Sequence, residues 1–416
     1  MIEVNRYILA NGLKVLHYED RTTQMVAVNV LYDVGSKDEN PQRTGFAHLF
    51  EHLMFGGSLN IPDFDAPLQE AGGENNAWTS NDITNYYDVV PRQNIETAFW
   101  LESDRMLSLS FSPKSLETQR QVVMEEFKQR NLNQPYGDIP LLIRPLAYEK
   151  HPYRWATIGK ELSHIENATM DEVKDFYFKH YAPNNAILSV SGNISFDETV
   201  RLAEKWFASI ERRDIIRRNL PEEPLQTAPR FLEVERDVPA DMIVKAYHMC
   251  RRLDTEYHRY DMLSDILANG RSARLFRELV MNKKIFSEVN AYITGDIDAG
   301  LFFVTGKPNP GISLQEADKA ICLEMRKLSE EEISEYEVRK IVNKFESNDL
   351  FSNINYLNKA TNLAYHELLD KAENINTEAE KYREVTPSML RETASRAFVE
   401  NNCSTLYYLQ NIVNRE

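Results

Sequence analysis

The secondary-structure signals of this chain run through twice in nearly the same order, and that repetition limits what it can fold into. Tyr7-Ile8-Leu9 and Leu13 to Tyr18 flank Asn11-Gly12, the dipeptide of a tight hairpin. The Val-rich alternating run Met25 to Val34 predicts a third strand. Glu74 to Thr79 and Asn85 to Val90 predict two more, the polar first one suited to a sheet edge. Helical spacing covers about 93–107, a stretch opened by Ser112-Pro113, a segment near 140–148, 170–180 and 198–210, with a strand at 185–191. Glu211 to Ala228, with Arg212, Arg213, Arg217, Arg218, Pro221 and Pro224 and with Pro229 following, then breaks the pattern as a linker. Beyond it, strands at 242–247, 289–293, 301–304 and 405–409, with helices between, repeat the order at low residue identity. Two α/β modules of about 200 residues, related by duplication, are expected.

Composition narrows the function classes. The formal charge of −16, from 48 basic and 64 acidic side chains, argues against a nucleic-acid or anionic-membrane binder. The cysteines, Cys250, Cys322 and Cys403, are odd in number and lack close spacing, so they read as buried thiols rather than a disulfide frame or a thiolate metal site. Met1 to Arg6 has no basic leader or apolar core, and no stretch nears the ~18 apolar residues of a membrane span. The expectation is a cytoplasmic protein, or a periplasmic one if a signal peptide has been trimmed.

The chemistry concentrates in Thr44 to Phe55. As a helix this stretch stacks His48 and His52 one turn apart on one face and sets Glu51 beside them. The order His-x-x-Glu-His is the inverted form of the zincin motif. Two neutral imidazoles hold Zn²⁺, a third ligand completes the protein's share, and the remaining position serves a water whose proton Glu51 accepts. The bland alternative is an amphipathic core helix with two incidental histidines. Glu125 and Glu126, on the helix after Ser112-Pro113, are both candidates for the third ligand; adjacent glutamates otherwise mark a solvated helix face. His17 reads as a strand surface residue, and His151, before Pro152, as part of a turn.

These residues, taken with their order, carry a resemblance. Asn11-Gly12-Leu13, Gly45-Phe46-Ala47-His48-Leu49-Phe50-Glu51-His52, Gly72-Gly73, Asn76-Ala77-Trp78-Thr79, Val122-Val123-Met124-Glu125-Glu126, His151-Pro152-Tyr153 and Pro183-Asn184-Asn185 are similar to the M16 metallopeptidases. That inverzincin group includes pitrilysin, insulin-degrading enzyme and the mitochondrial processing peptidases. The resemblance implies an α+β fold of two homologous modules, each a mainly antiparallel sheet flanked by helices, here 1–215 and 216–416. It implies one zinc per chain on His48, His52 and Glu126, the last lying 74 residues after His52 (126 minus 52), with Glu125 as fallback and Glu51 as general base. It further implies that Asn76, Ala77, Trp78 and Thr79 form an edge strand pairing with extended peptide substrates, and that peptides or unfolded polypeptides are hydrolysed in an enclosed chamber.

Two departures from the family pattern shape the expectation. Gln119 stands where some members carry a further glutamate, so any electrostatic help from that position is absent or comes from Glu117. Anchored on Arg274-Leu275-Phe276, the Arg and Tyr that active members use against the tetrahedral intermediate read Val280 and Ser287. Neither replaces a guanidinium or a phenol at an oxyanion. The expected form is therefore a dimer, specifically a heterodimer in which a homologous subunit supplies the Arg/Tyr pair, with a homodimer as the alternative. A non-catalytic scaffold of this fold, or a zinc hydrolase of non-peptide substrates, are the competing readings.

Overall fold

The computed structural model describes residues 1–216 and 219–411, so Arg217 and Arg218 of the expected linker lie outside the described residues. It divides into two compact units. The first comprises Met1–Gln129, Trp155–Leu220 and Asp349–Thr377; the second comprises Arg130–Arg154, Pro221–Asn348 and Glu378–Glu416.

In the first unit β1 (Asn5–Ile8), β2 (Lys14–Glu19), β3 (Met25–Tyr32), β4 (Glu74–Thr79), β5 (Thr84–Pro91) and β6 (Ala186–Gly192) form one sheet in the order β1-β2-β6-β3-β5-β4. All neighbours are antiparallel except β2 and β6. The second unit's sheet has the order β7-β11-β8-β10-β9, from β7 (Arg230–Arg236), β8 (Met242–His248), β9 (Phe286–Ile293), β10 (Leu301–Pro308) and β11 (Cys403–Gln410). Its one parallel pair is β7 with β11. Replacing β2 to β6 by β7 to β11 in turn reproduces the first sheet's order and its strand directions. The duplication is therefore written in the connectivity, although the side chains have diverged. Gly12, at φ +93, takes the left-handed turn of the first hairpin, where an added Cβ would also meet Asn184 at 2.8 Å.

A single cut at 215/216 does not describe the units, because two segments trade places. The helix Tyr356–Leu369 lays Leu363 and Ala364 on Leu16, Leu31 and Ile187 of the first sheet, and Ala360 on Ala27 and Val89. The helix Ile139–Ala147 likewise sets Ile143 and Ala147 on Val244, Ala246, Leu301 and Leu406 of the second. Each sheet is apolar on both faces, and one face is closed by a helix from the other half of the sequence. Burial of apolar surface at about 25 cal/mol per Å² favours that closure over an exposed sheet face.

Two smaller expectations change. His17 is fully buried rather than on the strand surface, with Nε2 2.9 Å from the Ile194 carbonyl oxygen. Cys403 is buried but Cys250 and Cys322 are partly exposed, and burial pushes the Cys322 thiol up to about 11. In the linker, Arg213 donates to the Tyr181 carbonyl at 2.8 Å, with its guanidinium over Tyr177. Among the described residues no helix is long and apolar enough to cross a membrane.

Candidate metal centre

The helix Phe46–Leu53 begins at Gly45, whose φ of 89 needs a glycine. Phe46, Ala47, Leu49, Phe50 and Leu53 enter the first unit's core, and this face of the helix fixes the roll that turns His48, Glu51 and His52 away from it. Gly45 offers no side chain to cap the helix. Glu39 does so from outside, accepting from the Gly45 and Ala47 backbone N–H groups at 2.8 Å each. Burial pushes the Glu39 carboxyl up to about 8, against the pull of these two backbone hydrogen bonds. At the other end the Tyr86 hydroxyl, reaching from β5, donates to the Phe50 carbonyl oxygen at 3.3 Å.

The second contributor is the helix Pro113–Phe127, started by Ser112, whose hydroxyl accepts from the Ser115 N–H at 2.9 Å. Leu116, Val123, Met124 and Phe127 are buried and orient it. The two candidate carboxylates separate on this helix. Glu125 lies outward, 54% exposed, with Gln129 and Lys128 as neighbours. Glu126 points at the histidines: its Oε2 is 3.5 Å from His48 Nε2 and 3.8 Å from His52 Nε2. Glu117 is on the exposed face, accepting from Gln121 at 2.8 Å and from Arg120.

Among the described residues His48, His52 and Glu126 are the one group of three such side chains whose ligand atoms all lie within 4.8 Å of one another. The imidazole rings stand nearly perpendicular, at 86°. Imidazole-to-carboxylate separations of 3.5 and 3.8 Å are long for hydrogen bonds. They suit donors sharing one ion: atoms about 2.1 Å from a tetrahedral zinc lie about 3.4 Å apart. Two imidazoles and one carboxylate are also a donor set that zinc takes, with one coordination position left for chemistry. The residues present fit the ion.

Glu51 is placed beside this group, and its Oε2 accepts a 2.6 Å hydrogen bond from the Thr79 hydroxyl of β4. Strand β4 is the last in its sheet, with Asn75, Ala77 and Thr79 half-buried and Glu74, Asn76 and Trp78 exposed. The Ala77 N–H donates to Asn76 Oδ1 at 2.8 Å rather than to β5. Asn76, Ala77, Trp78 and Thr79 thus lie along an open edge one side chain away from the His48 helix.

Beneath lies a support that sequence reasoning missed. Arg105 and Glu102, on the helix Ile95–Leu107, are both buried and paired. The guanidinium stacks 4.4 Å from the ring centroids of Phe64 and Tyr86. Asp88 of β5 is also fully buried, and burial, then the charge of Glu102, holds its carboxyl well above the usual carboxylate range. Arg105 and Glu102 sit three residues apart on one helix, but Asp88, Phe64 and Tyr86 reach them from other elements, so the cluster as a whole, like the cap from Glu39, has no local sequence signature. Val280 packs against the second unit's core, and Ser287 on β9 donates to the Lys307 carbonyl at 3.0 Å.

Comparison with known proteins bears on the family and the fold. Residues 14–152 match the family described as "Insulinase (Peptidase family M16)", and 167–345 match "Peptidase M16 inactive domain". A Helicobacter pylori relative named zinc protease PqqE is 32% identical over 339 residues, 80% of this chain and 76% of the relative. An uncharacterized zinc protease, YmxG of Bacillus subtilis, is 26% identical, covering 73% of each. The crystal structure of a protease from Helicobacter pylori superimposes with a TM-score of 0.91 at 28% identity, covering 98% of this chain and all of that one. A peptidase M16 inactive domain from Pseudomonas fluorescens gives 0.89 at 16% identity, covering both chains fully, and so shares the fold. By this likeness in sequence and in fold, the chain belongs to peptidase family M16.

Proposed function

We propose that this chain is the zinc-bearing subunit of a two-chain endopeptidase acting on peptides or unfolded polypeptides in an enclosed chamber. The observation that carries the reading is the convergence of His48, His52 and Glu126 at ligand spacing beside Glu51 and an open strand edge. His48, His52 and Glu126 would hold the ion. Bound there, zinc supplies Lewis acidity, polarising a peptide carbonyl and acidifying the attacking water. Glu51 takes the water's proton and later delivers it to the departing nitrogen. An extended peptide lies along Asn76 to Thr79 as an added strand, held by main-chain hydrogen bonds and so read only weakly by side chain.

Val280 and Ser287 are the reason for invoking a second subunit. One is aliphatic, half-buried and packed against a core; the other's hydroxyl is spent on a carbonyl oxygen. Neither offers a cation or a phenol to a developing oxyanion. The test is a peptide-library digest of the zinc-loaded chain, alone and with a homologous subunit that has the Arg/Tyr pair. The expected result is about one zinc per chain in both samples and strong cleavage only in the mixture. Full activity of the isolated chain would refute the divided site. A chain that takes up no zinc and stays inert with its partner would favour the scaffold reading.

A further inference from the structure

We infer that Thr79 is a positioning residue that ties the occupancy of the β4 edge to the orientation of the Glu51 carboxylate. This rests on the reading of Glu51 as the base. The backbone pattern of β4 comes first. Ser80 N–H bonds the Ile83 carbonyl at 2.8 Å, closing the hairpin to β5. Antiparallel ladders alternate, so going back along the strand Trp78, Asn76 and Glu74 pair with β5, while Thr79, Ala77 and Asn75 turn their N–H and C=O outward. The Ala77 N–H, bonded to a side chain instead of to β5, agrees with this phase. Thr79 therefore offers its backbone to whatever adds to the edge.

Its side chain stands off one face of the sheet instead. Half-buried on the face that carries Ala77, it places Oγ1 2.6 Å from Glu51 Oε2. A threonine hydroxyl has one hydrogen to donate, and here an acceptor-only carboxylate takes it. The donor is also stiff. Threonine branches at Cβ, so few χ1 rotamers are open to it and the direction of Oγ1 follows the strand backbone. Glutamate is soft, with three side-chain torsions, and gains most from an external tether. One residue thus joins the two halves of the site: backbone to peptide, hydroxyl to base. When a peptide pairs along Ala77 and Thr79, the strand is held on both sides, and the hydroxyl with the Glu51 carboxylate is held with it. A base set in place before attack needs no reorganisation during it.

The test compares Thr79→Val, Thr79→Ser and Glu51→Gln in the active complex. Valine keeps shape and strand propensity and removes only the hydroxyl; serine keeps the hydroxyl without the branch. Thr79→Val is expected to lower kcat ~10-fold or more, the scale of losing an orienting partner, with KM and zinc content within twofold of the unmodified protein. Thr79→Ser should recover most of that kcat. In the Glu51→Gln background, Thr79→Val should cost nothing further, because its effect passes through the lost carboxylate. Crystal structures of the metal-free chain give a readout apart from activity: Glu51 should leave its position in Thr79→Val and keep it in Thr79→Ser. An unchanged kcat in Thr79→Val, a loss confined to KM, or an unmoved Glu51 would overturn the inference. Should Thr79→Val fold poorly, a Thr79→Ser variant with kcat reduced as far as an alanine variant's would overturn it as well. Substantial turnover by Glu51→Gln would instead refute the reading of the base, which separates the two failures.

Discussion

His52 Nε2 lies 3.8 Å from Glu126 Oε2, although no helical or strand period links the two residues. Only tertiary packing of the helices Phe46–Leu53 and Pro113–Phe127 brings them together. Glu125 faces solvent on the same helix, so the neighbouring pair is a built-in control. Glu126→Ala is expected to lower zinc affinity by more than ~100-fold, beyond the range typical of an outer partner, whereas Glu125→Ala should leave it within twofold. Competition against a chromogenic chelator measures both. Equal losses in the two variants would contradict the assignment.

Glu51→Gln tests chemistry without disturbing the ligands. Glutamine keeps the length and the acceptor for the Thr79 hydroxyl but cannot take up a proton. Hydrolysis by the active complex should fall by about 10² to 10⁴, the usual contribution of a general base, at full zinc content by atomic absorption. Turnover near that of the unmodified protein would show that another group accepts the proton.

Arg105 and Asp88 are both fully buried beneath the site, yet their removal should differ sharply. Arg105→Ala strips the charge that faces Glu102 and leaves a carboxylate uncompensated in the core, at a cost of about 3–5 kcal/mol. Asp88, kept neutral by burial, is close to its amide in charge and shape, so Asp88→Asn should change stability by under ~1 kcal/mol. Urea unfolding at pH 7 distinguishes them. A large loss in Asp88→Asn would mean that this carboxyl is ionised in the folded protein.

The strands and the zinc-type motif could be read from sequence because both depend on short spacings. Asn11-Gly12 announces its hairpin, the Val-rich run 25–34 becomes β3 at Met25–Tyr32, and 170–180 is a helix as its spacing predicts. His48 and His52 share a helix face by period alone. The rest depended on who packs against whom. No local pattern says that Tyr356–Leu369 closes a sheet more than 160 residues upstream of it, the separation from Ile187 to Tyr356 (356 minus 187), since amphipathic helices look alike whichever sheet they cover. Which of Glu125 and Glu126 faces the histidines is likewise a matter of helix roll, and with Val123 and Phe127 turned inward it is Glu126. His17 misled for the same reason. A polar residue in an alternating strand reads as exposed until a carbonyl such as that of Ile194 is known to meet it.

Glu39 makes the stability of the His48 helix depend on pH. Its carboxyl titrates near 8 in the folded chain, raised by burial, against 4.5 for an ordinary glutamate. Between those values the folded protein holds a proton that the unfolded chain has released. Stability from this group is thus complete below about pH 4.5 and declines as pH rises toward 8, at up to about 1.4 kcal/mol per pH unit. Glu39→Gln stays neutral throughout and keeps an oxygen for the Gly45 and Ala47 N–H groups, so it removes the slope while preserving part of the cap. Urea midpoints of the metal-stripped protein at pH 5, 6.5 and 8 should fall more steeply for the unmodified chain than for Glu39→Gln. Stripping the metal keeps zinc binding, itself pH-dependent, out of the comparison. Parallel curves would show that Glu39 is ionised in the folded state, with the two backbone hydrogen bonds outweighing its burial.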